Sequence, residues 1–558
     1  MGETWNPSPP RELTEENAEI FTADNIGNTV YSKHWLFTTL MKLIQEVDKH
    51  EENKDQEQET ELGTDVDENL QDELCKLWDM SMDMEVVKFL MEFKAIEILT
   101  GAIAKSKAPR ITEICVGILG NMVCDPNASK TMSENSKLIE LSLLLLESPD
   151  SPTLVETTRF LHTCLSSSCP EPWITAIKES EQVMESVTFI FKSSTNNDLL
   201  KNAACFVDKL LDMKENICEQ WATENFVLAL LEAIKQIGAK PSEMLENFFH
   251  IFQLLTTTQE GVPVIVSQSD FIVEPIMKFL VHLCEDEIIS ITGHENSIAS
   301  AISVLNTVLT SSEGTIALLT EDKQLMRCLL KVLEAACCKL NKNAPPRHKS
   351  TDQRSASISD SKSLEIMQNK QKQPNTTDSE KTGDEGTQSD SAESNATSKE
   401  TKVTFSKPQE AEAGGDAVFG EGGRNGTEEI KSSSQNDLNR SDSYDEEATK
   451  LLYSVLQGFC RDVVLALHQL EDPDDEDEEN TEPEELITPK CLEYMETSCS
   501  RDRIKHLLKT LRKEKKTQSN VSEDDGDEDI NHLQLFQDVA ERYDMERLKR
   551  IYHDALRT

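Results

Sequence analysis

This chain lacks every common nucleotide-binding or hydrolytic signature: there is no GxxxxGKS/T, HExxH or GxSxG stretch and no EF-hand loop. A phosphate cradle, a metal-assisted protease and an activated serine therefore each miss the residues they need. There is no CxxC pair among the fourteen cysteines, and the adjacent Cys337 and Cys338 diverge on a helix, which argues against zinc. "GEGGRNG", 420 to 426, is glycine-rich but has no strand before it and reads as a flexible spacer. No catalytic residue, cofactor site or metal-ligand set can be named, and the chain is expected not to be an enzyme.

Positive charge is also scarce. Lys and Arg number 56 against 103 Asp and Glu, a formal net charge of −47. Attraction to nucleic acid or to an anionic membrane is not expected, whereas basic protein segments would be steered toward the chain. The richest apolar run, "LIELSLLLLE" at 138 to 147, is too short to span a bilayer. The opening residues hold no apolar h-region, and Asn6 stands where a myristoylation signal needs Ser or Thr, so no secretory or lipid address is expected. Cys115, Cys164, Cys205, Cys284 and Cys328 sit inside apolar helical patterns, where reduced cysteine acts as a small hydrophobe. A nuclear or cytoplasmic location follows.

Aromatics make up only 5% and strand signals are nearly absent. What remains is helical periodicity, with apolar residues at i, i+3, i+4 and i+7 broken by Pro, Gly and Ser/Asp/Asn clusters. It divides the chain into a disordered tail (1–25), a helical solenoid (26–340), a disordered polar linker (341–445) and an acidic C-terminal region with amphipathic helices (446–558). The solenoid is expected to form one protease-resistant unit. In the last region Leu452, Val455, Leu456, Phe459, Val463, Leu467 and Leu470 form one stripe, which must dock on the solenoid or on another protein.

A short template, apolar-x-polar-apolar, recurs along the solenoid as "LWDM", "LGNM", "LHTC", "VDKL", "IFQL" and "LNTV". Its polar members Asp79, Asn121, Thr163, Lys209, Gln253 and Thr307 are 42, 42, 46, 44 and 54 residues apart. Most of these steps match the armadillo/HEAT period of roughly 40–47 residues. The fold expected is all-α, an armadillo/HEAT-like α-solenoid, with the six residues forming a polar ladder along a groove. Asn121 stands out because an amide both donates and accepts, and so can hold a peptide backbone. An amide tied into its own fold is the alternative. Gly117 and Gly120 would let neighbouring helices approach closely.

Three segments, "GNTVYSKHWLF" (27 to 37), "LWDMSMD" (77 to 83) and "ITEICVGILGNM" (111 to 122), resemble the serum amyloid A-like protein family, with the likeness running over about 26–340. The resemblance implies an armadillo-type helical fold, no known catalytic activity, a nuclear location and an association with promoting cell proliferation. It supplies no site, and nothing supports a lipoprotein-binding role.

Several local features carry two readings. Trp221 lies four residues before Asn225, a spacing that import adaptors use for basic cargo, yet core packing suits a single such pair better. His162 and His250 sit among apolar neighbours and read as structural. Thr29 and Ser32 can cap a helix whose apolar face closes the end of the stack. "KTLRKEKK", 509 to 516, is either an import signal or a solvated helix end, and "RSDSYDEE" and "NVSEDDGDED" suit acidophilic kinases. The expected function is a protein-interaction scaffold favouring basic peptide segments, with an import-type adaptor as the alternative.

Overall fold

The computed structural model describes residues 24–52, 66–238, 240–311, 323–342, 433–470, 488–512 and 531–557. Among them the fold is all-α, with twenty-three α-helices, one 3-10 turn and a lone backbone bridge between Asn25 and Ser32. The first helices are α1 (Lys33–Glu52), α2 (Glu68–Met80), α3 (Met84–Glu92), α4 (Ala95–Lys105) and α5 (Pro109–Met122). There follow α6 (Pro126–Ser133), α7 (Ser136–Leu144), the 3-10 turn Leu145–Glu147, α8 (Ser151–Ser166), α9 (Glu171–Glu179), α10 (Glu181–Ser193) and α11 (Asn197–Met213). Next come α12 (Glu215–Trp221), α13 (Glu224–Ile237), α14 (Glu243–Leu255), α15 (Gly261–Ser267), α16 (Ser269–Leu283), α17 (Glu295–Ser311) and α18 (Gln324–Lys342). After residue 432 the chain forms α19 (Ser433–Gln469), α20 (Lys490–Thr497), α21 (Arg501–Leu511), α22 (His532–Arg542) and α23 (Glu546–Arg557).

The breaks between helices are chemically marked. Asp67, Asp83, Asp125, Asn135, Asp150 and Asn196 each accept a hydrogen bond from a backbone N–H of the helix they precede, which satisfies donors the helix cannot. Pro109 and Pro126 occupy the first helical position, where a missing N–H costs nothing. At the chain's start Thr29 Oγ1 donates to Ile26 O (2.7 Å) and Ser32 Oγ accepts from Trp35 N (3.1 Å), so Ser32 caps α1 while Thr29 folds the turn before it. Leu36, Leu40 and Leu43 then bury the inner face of α1.

Pairing follows chain order in two rows. One row runs α2, α5, α8, α11, α14, α17, each packed on the next. The other runs α1, α4, α7 with the 3-10 turn, α10, α13, α16, α18, α21 and α23. Short helices α3, α6, α9, α12 and α15 lie between, so that each repeat is a short helix, a second-row helix and a first-row helix. Each helix buries one face against its own repeat and another against the next, as stacked repeats require.

The C-terminal stripe docks within the same unit. Leu452, Leu456, Phe459, Val463 and Leu467 of α19 are buried. Met326 and Leu329 of α18, Cys460 and Val463 of α19, Leu507 of α21 and Phe536 of α22 line one enclosed apolar pocket. The described residues up to Lys342 and those from Asp437 onward group into one compact unit. The expected linker falls mostly on residues 343–432, outside the described residues, but α19 already begins at Ser433 rather than at 446. Residues 1–23 of the expected tail, the acidic runs and the "NVSEDDGDED" serine also lie outside them, whereas Asp24 and Asn25 are described. Among the described residues no helix is long and apolar enough to cross a membrane.

Candidate functional site

The six ladder residues fall one per helix on the first row: Asp79 on α2, Asn121 on α5, Thr163 on α8, Lys209 on α11, Gln253 on α14 and Thr307 on α17. They do not share one role. Asp79 is exposed, and partial burial raises its carboxyl. Thr163 Oγ1 donates to Arg159 O (2.8 Å) and Thr307 Oγ1 to Ser303 O (3.2 Å), each one turn back along its own helix. Lys209 is half-buried close to His162, whose protonation is disfavoured first by burial and then by that ammonium.

Asn121 is committed to its neighbours. Its Nδ2 donates to Trp78 O (3.1 Å) and Ser81 Oγ (3.0 Å), and its Oδ1 accepts from Arg159 Nη1 (3.3 Å). One amide thus ties α5 backward to α2 and forward to α8. The adjoining glycines make room for this joint. A Cβ on Gly117 would fall inside the Trp78 indole, and one on Gly120 would stand 3.0 Å from Arg159 Nη2. That guanidinium also donates to Gly117 O (3.1 Å).

Similar bridges recur up the row. Arg110 Nη2 donates to Cys75 Sγ (3.2 Å), Asn202 Nδ2 to Val155 O (3.1 Å) and Asn247 Nδ2 to Cys205 Sγ (3.2 Å). His250 Nδ1 lies 2.6 Å from Asp208 Oδ1, and this hydrogen bond raises the imidazole pKa despite partial burial. Asn306 Nδ2 donates to Asp462 Oδ2 (2.9 Å), which joins α17 to α19. The template did not single out these residues, although Arg159, Asn202 and Asn247 recur at 43 and 45 residues, on the same period. Bonds of this kind between successive helices fix their rotation about one another.

Gln253 lines an open cleft of about 250 Å³. Asp208, Glu246, His250 and Asn296 surround it, and Leu451 and Val455 of α19 form its apolar wall. Carboxylates, an amide and an imidazole beside aliphatic side chains can hold the backbone and a cationic side chain of a peptide.

Trp221 is not in such a cleft. It is 2% exposed and packs edge-on against Phe226, while Asn225 is exposed. The basic cluster begins inside α21, where Thr510 and Leu511 are buried and Arg512 Nη2 donates to Ala555 O (3.2 Å); its residues 513–516 lie outside the described ones. All fourteen cysteines are free thiols, and burial pushes Cys115, Cys218, Cys460 and Cys491 up to about 12. Cys205 is half-buried, whereas Cys115, Cys164, Cys284 and Cys328 are buried. Among the described residues no group of three or more His, Cys, Asp or Glu could hold a metal ion.

Among known proteins the chain is 46% identical over 276 residues to zebrafish Protein saal1, an alignment covering 47% of this chain and 58% of that relative. Against the Xenopus tropicalis Protein saal1 it is 45% identical over 287 residues, 48% of this chain and 61% of the relative. The chain thus spans about three fifths of those two relatives. It is 37% identical to human Protein SAAL1 over 359 residues, covering 59% of this chain and 76% of the relative. An engineered protein of known structure aligns at a TM-score of 0.36 and 16% identity, over 49% of this chain and 96% of that one. The family model for the SAAL1 C-terminal domain matches residues 183–513, from the start of α10 past the end of α21. With that match over more than half of its length, and a human relative covered across three quarters of its own, the chain belongs to the SAAL1 family.

Proposed function

We propose that this chain is a non-enzymatic protein-interaction scaffold whose first row of helices holds peptide segments of basic character. One observation carries the reading: the Gln253 cleft. There Asp208 and Glu246 supply negative charge, Gln253 and Asn296 supply amides, and Leu451 and Val455 supply an apolar wall. Such a mixture recognises an extended segment better than it performs chemistry. The bridges at Asn121, Arg159, Asn202 and Asn247 give the scaffold rigidity, and rigidity lowers the ordering cost of binding. A role in nuclear events that promote proliferation belongs to the same reading. The import-adaptor alternative draws no support from Trp221, whose indole is buried.

The test uses the full chain and a displayed library of Lys/Arg-rich peptides. Peptides selected on the parent should lose binding to Gln253→Lys and to Asn296→Arg, which put positive charge into the cleft. Both positions are at least partly exposed, so melting should change by no more than about ±0.5 kcal/mol. Selected peptides that bind the variants as well as the parent would remove the cleft from the proposal.

A further inference from the structure

The second row holds a larger opening. Between α7 and α9 lies an open groove of about 630 Å³, lined by Ser136, Ile139, Glu140, Leu143 and Leu144 from one side and Pro172, Thr175, Ala176 and Glu179 from the other. The α7 residues are spaced i, i+3, i+4, i+7 and i+8, and the α9 residues repeat that spacing up to i+7. Two ridges of helical side chains thus face a common trough.

The trough has an apolar floor and acidic margins. Ile139 is nearly covered, Leu143 and Ala176 are half-buried, and Leu144 stands 56% exposed at the edge. Around them are the carboxylates Glu134, Glu140, Glu147 and Glu179, and no Lys or Arg lines the groove. Lys137 and Lys178 belong to the same two helices but are not among the residues that line it.

One end of the groove is held in place. Trp173 Nε1 donates to Ser133 Oγ (3.2 Å), and that hydroxyl lies 2.8 Å from Cys169 O, fixing the end of α6 to the start of α9. The Trp173 indole also packs edge-on against Phe160 of α8. The opening is therefore part of the packed fold.

We infer that the α7–α9 groove is a docking site for an amphipathic helix of a partner protein, with a leucine-type ridge flanked by Lys or Arg. The argument is complementarity of charge and of period. A helix packs its i, i+3/i+4 ridge into the space between two others, and basic residues beside that ridge meet the glutamates. Helices α7 and α9 have nine residues each, about 13 Å, so two to three turns of the partner make contact. This site uses none of the residues of the Gln253 cleft, and it stands or falls without it.

The probe is a fluorescent eighteen-residue peptide of Leu, Lys and Ala with its leucines on one helical face, compared with a scrambled peptide of the same composition. Anisotropy titrations use the full chain. The ordered peptide should bind at least tenfold more tightly than the scrambled one, which reports attraction to the acidic chain in general. Leu144→Ser should bring the two close together. The pair Glu140→Gln with Glu179→Gln should weaken the ordered peptide and flatten its salt dependence; both side chains are exposed, so this arm is informative even if Leu144→Ser melts early. Equal affinity of ordered and scrambled peptides, or unchanged binding by both groove variants, would overturn the inference.

Discussion

Asn121 shows how a single side chain changes meaning with its surroundings. Its amide makes three bonds to two neighbouring helices, so Asn121→Ala leaves Trp78 O, Ser81 Oγ and Arg159 short of a partner. Loss of about 1–3 kcal/mol is expected, read as a lower midpoint in chemical denaturation. Gly117→Ala should cost at least as much, because the added methyl would sit within the Trp78 ring. His250 gives a pH signature. Its hydrogen bond to Asp208 raises its pKa above the ordinary 6.5, so the stabilisation is complete below that value and is lost as pH rises through the folded one. The melting midpoint should therefore drop from mildly acidic to alkaline pH, and Asp208→Asn should abolish that drop. From the sequence, the period at which Asn121 recurs was readable but its role was not. The template records polarity, and whether an amide faces solvent or the next helix depends on rotations of about 100° per residue that packing sets.

Helices were the most legible feature, because Asp, Asn and Pro at their starts act locally and need no tertiary partner. The stripe from Leu452 to Leu470 was equally plain: five of its seven residues are buried, and Val455 and Leu470 are half-buried against the core. Its partner was not, since one apolar face fits any other of similar size. A polar joint beside it is Arg503 of α21, whose Nε donates to Glu334 Oε2 (2.7 Å) and whose Nη2 donates to Glu287 Oε1 (3.0 Å) and Glu287 O (3.3 Å). At 7% exposure this guanidinium pins α21 to α18 and to the turn after α16. Arg503→Ala should cost about 1–3 kcal/mol, since Glu287 and Glu334 can still turn to water. Hydrogen exchange should quicken in α21 and α23 before it does in α2 or α5, which would be missed if the joint were only decorative. The ladder's upper end has a related explanation: α19 stands beside Gln253, so the cleft there is walled by a helix from the far side of the sequence.

At the scale of the molecule, the stack does not finish at Lys342. The second row continues through α18 into α21 and α23, and the SAAL1 C-terminal domain model spans the same junction. A protease site placed between 345 and 432 and then cut should leave two pieces that co-purify and unfold together. Residues 26–340 made alone should bind a hydrophobic dye, because Met326, Leu329 and Cys337 lose their cover. Pieces that separate cleanly, each with a sharp melt, would contradict the single compact unit. That unit holds both α18, which ends at Lys342, and α19 from Asp437 onward, which has a topological consequence. In sequence, the residues between them interrupt that unit, while α18 and α19 on either side pack against one shared apolar pocket. Closing a longer loop costs only about 0.6 kcal/mol for each doubling. A change in the length of the intervening sequence is therefore expected to cost the packed unit little, which a comparison of melting midpoints for shortened variants would check.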